Sequence, residues 1–251
     1  MQDTAYDYAF FELDGTLIPG DSSLGILAYP QVPRWQVWQL WAAYAPRYVL
    51  GRAHLIGRAR LYAGWIRALA ALTRNWPKSE VDELYRWVAQ DFLQSHYRPE
   101  VLALMQAHQA QGTKVILMTS NFNRAAKHIA QHVGADGFIG TRLNFKDNIA
   151  TGKIKGKVNV SPRKLAFIRT YLRKQAYIHG EDLSRCIAYA AHYAEAPLLA
   201  AMGKAVAAYP DPFLKVAAQE QQWLIFPDAA PAHLGRPSDD KRWQAEKSGP
   251  P

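Results

Sequence analysis

Two carboxylates two residues apart follow an apolar run near the start of the chain. Residues Tyr8 to Phe11 are aromatic or apolar, and they lead into Glu12, Leu13, Asp14, Gly15 and Thr16. Such a pair suits phosphoryl transfer: the first carboxylate attacks phosphorus and the second protonates the leaving oxygen. A Gly-Thr turn lets the backbone come close to the phosphate. Three further groups would complete such a site. They are a hydroxyl at the next strand end, a lysine at a helix start to neutralise charge, and acidic residues on a last strand to hold magnesium through oxygen ligands.

The elements that would position these groups follow from the apolar pattern. Residues 7–13 read as a short buried parallel strand that ends at Gly15. The runs at 114–121 (KVILMTSN) and 185–192 (RCIAYAAH) read as two more. Helical periodicity fills 98–112, ending at Gly112, and 122–134, ending at Gly134. A third helix spans 161–175 and opens with Ser161 and Pro162, a good cap and first-turn pair. Alternating strands and helices predict an α/β fold with a Rossmann-like parallel sheet flanked by helices. Ligands on such sheets bind at the carboxyl ends of the strands.

Residues 20–95 read as helices only, and from Ser22 to Ser79 there is no Asp or Glu. An all-helical insertion directly after the first strand is expected to form a cap over the site, dividing the chain into a core of 1–19 and 96–226 and a cap of 20–95. Trp35, Trp38 and Trp41 recur at spacing three, on one helix face. That face is expected to be the cap's core. A basic, aromatic-lined ligand pocket and a membrane-facing surface are the alternatives. The Pro-rich, polar segment 227–251 is expected to lack fixed structure.

In order along the chain, four segments resemble the motifs of the haloacid dehalogenase (HAD) superfamily, in its phosphoserine phosphatase-like branch. FFELDGTL resembles the first, and VILMTSNF the second with Thr119 as its hydroxyl. SPRKLAFIRTYL resembles the third with Lys164 as its lysine, and residues 188–214 resemble the fourth. TGKIKG (151–156) resembles the hairpin before that lysine, and GDSS (20–23) the entry to a helical cap. The resemblance spans roughly residues 7–226. It implies catalytic roles for Glu12, Asp14, Thr119 and Lys164, and substrate contacts from Gly15, Thr16, Ser22, Ser120 and Asn121. It implies a magnesium ion held by Glu12, Asp14 and Glu195. Thr119 is equally a good cap for the helix that follows, Asn121 a plausible first-turn residue of it, and His192 either a ligand contact or a solvated side chain.

The sequence departs from the family pattern in two places. The nucleophile position carries Glu12 where the family has Asp. The fourth motif carries Ala190, Ala191 and Glu195 where the family reads Gly-Asp and a second Asp four residues on. Three functions stay open. One is a degenerate protein that binds a small phosphorylated or anionic molecule, or a protein partner. Another is an atypical phosphomonoester hydrolase with Glu12 as nucleophile, and the third a metal-independent enzyme using Glu12 and Asp14 as an acid–base pair. The formal charge of +9 favours anionic partners. No nucleic-acid motif accompanies it, and peripheral membrane contact through the cap is a minor alternative. The single Cys186 and the absence of a basic, apolar leader suit a cytoplasmic protein without a disulfide framework.

Overall fold

The computed structural model describes residues 6–53, 55–177, 179–180 and 182–228, so the segment expected to lack fixed structure lies almost wholly outside the described residues. The chain opens with β1 (Tyr8–Glu12) and then turns helical: α1 (Leu24–Ala28), α2 (Arg34–Arg52), α3 (Arg58–Leu72) and α4 (Lys78–Trp87), the last continued by a π-turn over Val88–Phe92. It returns through α5 (Pro99–Ala110), β2 (Lys114–Phe122), α6 (Asn123–Val133) and β3 (Gly137–Thr141). A hairpin of β4 (Leu143–Lys146) and β5 (Ile149–Ile154) leads to α7 (Lys164–Lys174) and β6 (Cys186–Ala190). The end comprises α8 (Ala196–Ala200), β7 (Lys204–Ala208), α9 (Pro212–Glu220) and β8 (Leu224–Phe226).

Six strands form one parallel sheet in the order β3-β2-β1-β6-β7-β8. The chain builds outward from β1 on one side through β2 and β3, then crosses to the other side for β6, β7 and β8. The reversal of strand order therefore falls at β1, which pairs with β2 and β6 along its length. A crevice opens at such a switch point, so the groups that follow β1, β2 and β6 face a common space.

Both sheet faces are buried, as in α/β proteins. Successive residues of β1 point to opposite sides, so Phe11 joins the core that includes the helical insertion and Phe10 joins the core under α7, α8 and α9. Phe11 stacks on Tyr189 of β6 with centroids 4.1 Å apart. The Tyr189 hydroxyl lies 2.7 Å from His108 of α5, and burial pushes the His108 imidazole down to about 4.

The helices between β1 and α5 are pinned to the hairpin by backbone bonds. Asn75 donates to Ala150 and Ala150 to Trp76, while Lys78 donates to Asn148, all at 2.8 Å. Within this layer the structure corrects the expected cap core. Leu40 and Tyr44, four residues apart, are the buried side chains of α2, and the Tyr44 hydroxyl donates to the Leu61 carbonyl of α3 at 2.6 Å. Trp35, Trp38 and Trp41 lie on other faces of the same helix and are exposed, although Trp41 leans against the buried Trp65 with ring centroids 5.0 Å apart. Three-residue spacing fixed a shared face without fixing which way it points.

Close packing at the start of β7 gives one stability prediction. A Cβ built on Gly203, just before β7, would sit 1.7 Å from the Ser184 carbonyl oxygen, a backbone atom that no rotamer change can move. Gly203→Ala is expected to cost about 2 kcal/mol or more by overpacking, read as a fall in the chemical-denaturation midpoint. Gly20→Ala, where a Cβ meets nothing within 4 Å, should leave that midpoint unchanged.

Candidate active site

The carboxyl end of β1 delivers Glu12 and the loop beyond it into the crevice. That loop is tight: Leu17 donates to the Glu12 carbonyl and Ile18 to that of Leu13, at 3.3 and 3.1 Å. Gly15 takes a φ of +82°, a region open to glycine at little cost. A Cβ there would also lie 2.9 Å from the Ala191 Cβ and the His192 ring, so the loop packs directly on the end of β6. Arg98, just ahead of α5, clamps the loop from outside. Its guanidinium donates to the carbonyls of Gly15 and Thr16 at 2.6 and 2.9 Å and lies 3.5 Å from the centre of the Tyr209 ring.

Asp14 is buried and held at both oxygens. The Ser22 amide donates to one at 2.6 Å and the Thr119 hydroxyl to the other at 3.1 Å. Thr119 also accepts from the Asn121 amide at 3.0 Å, and the Asn121 side chain donates to the Ser22 hydroxyl at 3.1 Å. Thr119, Ser120 and Asn121 thus belong to the bulged end of β2. The helix reading of Thr119 and Asn121 is corrected accordingly: Phe122, in extended conformation, precedes the first turn of α6. Of the other sequence-predicted contacts, Thr16 carries a buried hydroxyl that finds no hydrogen-bond partner among the described residues, and Ser120 is buried with its carbonyl accepting from Thr141 at 2.8 Å.

Lys164 starts α7 and is fully enclosed. Its ammonium donates to Glu12 Oε2 in a very short contact and pairs with Glu195 Oε1 at 2.8 Å. Ser161 supplies a third contact, its hydroxyl donating to Glu195 Oε2 at 2.8 Å. This corrects the expected helix cap. Arg163, not Ser161, occupies the cap position, and Ser161 turns away to hold a carboxylate. Glu195 reaches the cluster because a single 3-10 turn, Tyr193–Glu195, folds the chain back immediately after β6. Asp211 braces that turn. It accepts from the Tyr193 amide at 3.0 Å, donates its own amide to the Ala191 carbonyl at 2.8 Å, and caps α9 through the Leu214 amide at 2.8 Å. His192 projects outward, half exposed, with Nδ1 3.7 Å from Asp211.

Sequence reasoning left out several groups here. Trp65 of α3 donates from its indole to the Ser23 hydroxyl at 3.0 Å, tying the helical layer to the site's rim. Tyr62, one turn earlier, has its hydroxyl pushed well above the ordinary tyrosine value, by burial first and then by the charges of Asp14, Asp21, Glu12 and Glu195. Asn159 donates from its side chain to the Thr119 carbonyl at 2.8 Å and steadies the end of β2. The i+3 spacing of Tyr62 and Trp65 was readable in the sequence, but not the direction in which they face.

Burial dominates the electrostatics. It pushes the Glu12 carboxyl from 4.5 up to about 8, opposed by Lys164 and reinforced by Glu195 and Asp14. Asp14 rises from 3.8 to about 6, by burial and then by the charge of Asp21, with the bonds from Ser22 and Thr119 opposing. Burial works against the Lys164 ammonium too, yet Glu12 and Glu195 together hold its pKa above the ordinary lysine value. The donor set does not suit a divalent cation as it stands. Position 191 offers a methyl group, Glu12 Oε2 and Glu195 Oε1 are turned to Lys164 and Glu195 Oε2 to Ser161, and among the described residues no three His, Cys, Asp or Glu side chains form a metal-binding group.

These shifts set the sign of the pH dependence. A carboxyl whose folded pKa is raised loses its contribution to stability as pH climbs from the unfolded to the folded value. Asp14 acts between 3.8 and about 6, where His108, depressed from 6.5 to about 4, acts in the opposite direction. Above pH 6.5 the Glu12 effect stands clear. The denaturation midpoint is expected to fall from pH 6.5 to 8, and Glu12→Gln to remove most of that fall. An unchanged slope in the variant would contradict a raised Glu12.

Known proteins share this architecture. A family model described as haloacid dehalogenase-like hydrolase matches residues 9–200. A phosphoserine phosphatase of Mycobacterium tuberculosis is 30% identical over 224 residues, covering 86% of this chain and 69% of that protein. An inhibition of morphological differentiation protein of Streptomyces azureus is 28% identical over 241 residues, covering 90% and 80%. Among solved structures, a Bordetella pertussis protein of unknown function superposes with a TM-score of 0.74 at 21% identity, covering 88% of this chain and 98% of that one. A phosphoserine phosphatase carrying a phospho-aspartyl intermediate analogue superposes at 0.56 and 17% identity, covering 88% and 92%. The switch-point crevice after β1 and the family match over most of the chain agree, and the chain belongs to the haloacid dehalogenase-like hydrolase family.

Proposed function

We propose that the protein binds a small phosphorylated or similarly anionic molecule in the crevice beneath the helical insertion, and that the magnesium-dependent phosphomonoester hydrolysis typical of its family is lost or strongly weakened in it. The observation that carries this reading is the Lys164 ammonium, held between Glu12 and Glu195, in a site where position 191, packed against Gly15, offers only a methyl group. Glutamate is one methylene longer than aspartate, which moves the attacking oxygen by roughly 1.5 Å. A misplacement of about 1 Å costs on the order of a hundredfold in rate. A carboxyl that burial pushes above its ordinary range and that an ammonium already engages is also a weakened nucleophile.

Anion binding survives these changes. Lys164 offsets one of the carboxylate charges beside it and burial favours the protonated form of Glu12, so an entering phosphate does not meet a full set of charged carboxylates. The unpartnered Thr16 hydroxyl is a ready donor, and Lys164, Ser22, Thr119 and Asn121 offer further polar contacts if they exchange their present partners. The names of the phosphatase relatives support a phosphorylated small molecule as the ligand class.

A second reading draws on the two carboxyls themselves. Values of about 8 for Glu12 and about 6 for Asp14 place an acid and a base on either side of neutrality, the arrangement a metal-independent acid–base enzyme would use.

A panel of phosphomonoesters assayed with and without magnesium tests both. The wild type is expected to show little or no magnesium-dependent turnover, and Glu12→Asp/Ala191→Asp to raise it by on the order of a hundredfold or more. Strong magnesium-dependent turnover in the wild type, abolished in Glu12→Ala, would overturn the weakened reading. Turnover without metal, bell-shaped in pH with limbs near 6 and 8, would establish the acid–base reading instead.

A further inference from the structure

The outer side of the helical insertion carries an apolar surface that the site does not use. Along α2, Trp35, Trp38 and Val49 stand on one side at 59%, 75% and 62% exposure, with Tyr48 beside them. From Trp35 to Val49 of α2 this strip is about 21 Å long. Leu55, just beyond the helix, is 73% exposed. Scattered exposed apolar residues are ordinary, but a continuous strip of this length marks an interaction surface.

Charge restricts what can cover it. From Ser22 to Ser79 the sequence has no acidic residue, and Arg34, Arg47, Arg52, Arg60 and Arg67 are exposed along α2 and α3. A second copy docking through the same face would bring these arginines against themselves, so an isologous dimer is disfavoured. An anionic surface is favoured. Behind the strip, between α2 and α3, lies a cavity of about 580 Å³ lined by Arg47, Arg60 and Arg67 together with Ile56, Leu61 and Ala68. None of these three guanidinium groups pairs with a carboxylate among the described residues, and Arg67 donates only to the Ala63 carbonyl, at 3.2 Å. Guanidinium groups over an apolar floor suit a phosphate attached to an apolar chain.

We propose that this α2–α3 face docks on the surface of an anionic phospholipid bilayer, with Trp35, Trp38 and Val49 at the headgroup–acyl boundary and the arginine-lined cavity receiving a lipid phosphate. Exposed Trp and Tyr among arginines is the composition of an interfacial helix. No described helix is long and apolar enough to cross a membrane, so the contact is peripheral. The proposal is independent of what the crevice under the insertion binds.

Co-sedimentation of the full chain with vesicles tests it. Binding is expected to vesicles of phosphatidylcholine mixed with phosphatidylglycerol, to be weak on phosphatidylcholine alone, and to be reversed by salt. Arg47→Gln/Arg60→Gln/Arg67→Gln should lower the partition by on the order of a hundredfold, about fivefold per charge. Trp35→Ser/Trp38→Ser should weaken it with the three arginines intact. All five positions are surface or cavity-lining, and circular dichroism checks that each variant is folded; were one set misfolded, the other decides. Three outcomes would overturn the proposal. One is no partition into the anionic vesicles at low salt. Another is a concentration-dependent dimer by light scattering that the Trp variant dissolves, giving the face to a second copy. The third is free glycerol phosphate displacing the protein from vesicles while the Trp variant binds normally, which makes the cavity a site for a soluble phosphate.

Discussion

The enclosed ammonium of Lys164 is the constraint around which the crevice is built. A buried charge is tolerated only where partners replace its water, and removing one partner of such a pair costs about 3–5 kcal/mol. Lys164 meets that demand from two directions, Glu12 at the end of β1 and Glu195 after β6. Three segments distant in sequence must therefore converge within a few ångströms. The parallel pairing of β1 with β6 brings two of them together, and the start of α7 delivers the third. The smaller bonds around the cluster then have a common purpose. Ser161 fixes the second oxygen of Glu195, and Asp211 braces the turn that carries it inward.

The same arrangement ties geometry to chemistry. An ammonium placed between two carboxylates is where a phosphatase of this fold would want it while a phosphate is bound. It is equally a way of neutralising acids that have no cation to hold. The methyl group at 191 offers no oxygen to either arrangement. Glu195 is not a free carboxylate in its place. Its two oxygens are committed to Lys164 and Ser161. The longer Glu12 side chain is consistent with the same balance, since it reaches the ammonium directly.

Much of this was legible in the sequence, and the limits have physical causes. Short apolar runs ending in small polar residues gave β1, β2 and β6, because a strand buried on both faces has few other compositions. Glu12, Asp14 and Thr119 were named from their places after such runs, and Lys164 from its place at a helix start in a family-like motif; Thr119 meets Asp14 and Lys164 meets Glu12. The direction of Glu195 was not legible, because it depends on a three-residue turn and on Asp211 from another strand–helix connection. Ser161 read as a helix cap because local propensity favours that role, while the tertiary demand of Glu195 took its hydroxyl. The tryptophans of α2 illustrate a different limit. Periodicity assigns residues to a face, and only the packing of Leu40 and Tyr44 against α3 shows that the tryptophan face looks outward.

Charge is distributed unevenly about the crevice, and the distribution has a consequence for any anionic ligand. The stretch from Ser22 to Ser79 holds no acidic residue and exposes Arg34, Arg47, Arg52, Arg60 and Arg67, whereas Glu12, Asp14 and Glu195 are buried at the strand ends. A surface of one sign raises the local concentration of the opposite ion, so anions are drawn to this side of the molecule. Burial raises the Glu12 carboxyl while Lys164 opposes that rise, so desolvation and ion pairing work against each other in setting the charge of the site. When Glu12 ionises, the site gains a charge that Lys164, already shared with Glu195, only partly offsets. The charge inside the crevice is therefore set by its buried carboxyls, while the exposed arginines, charged at every accessible pH, set the field outside it.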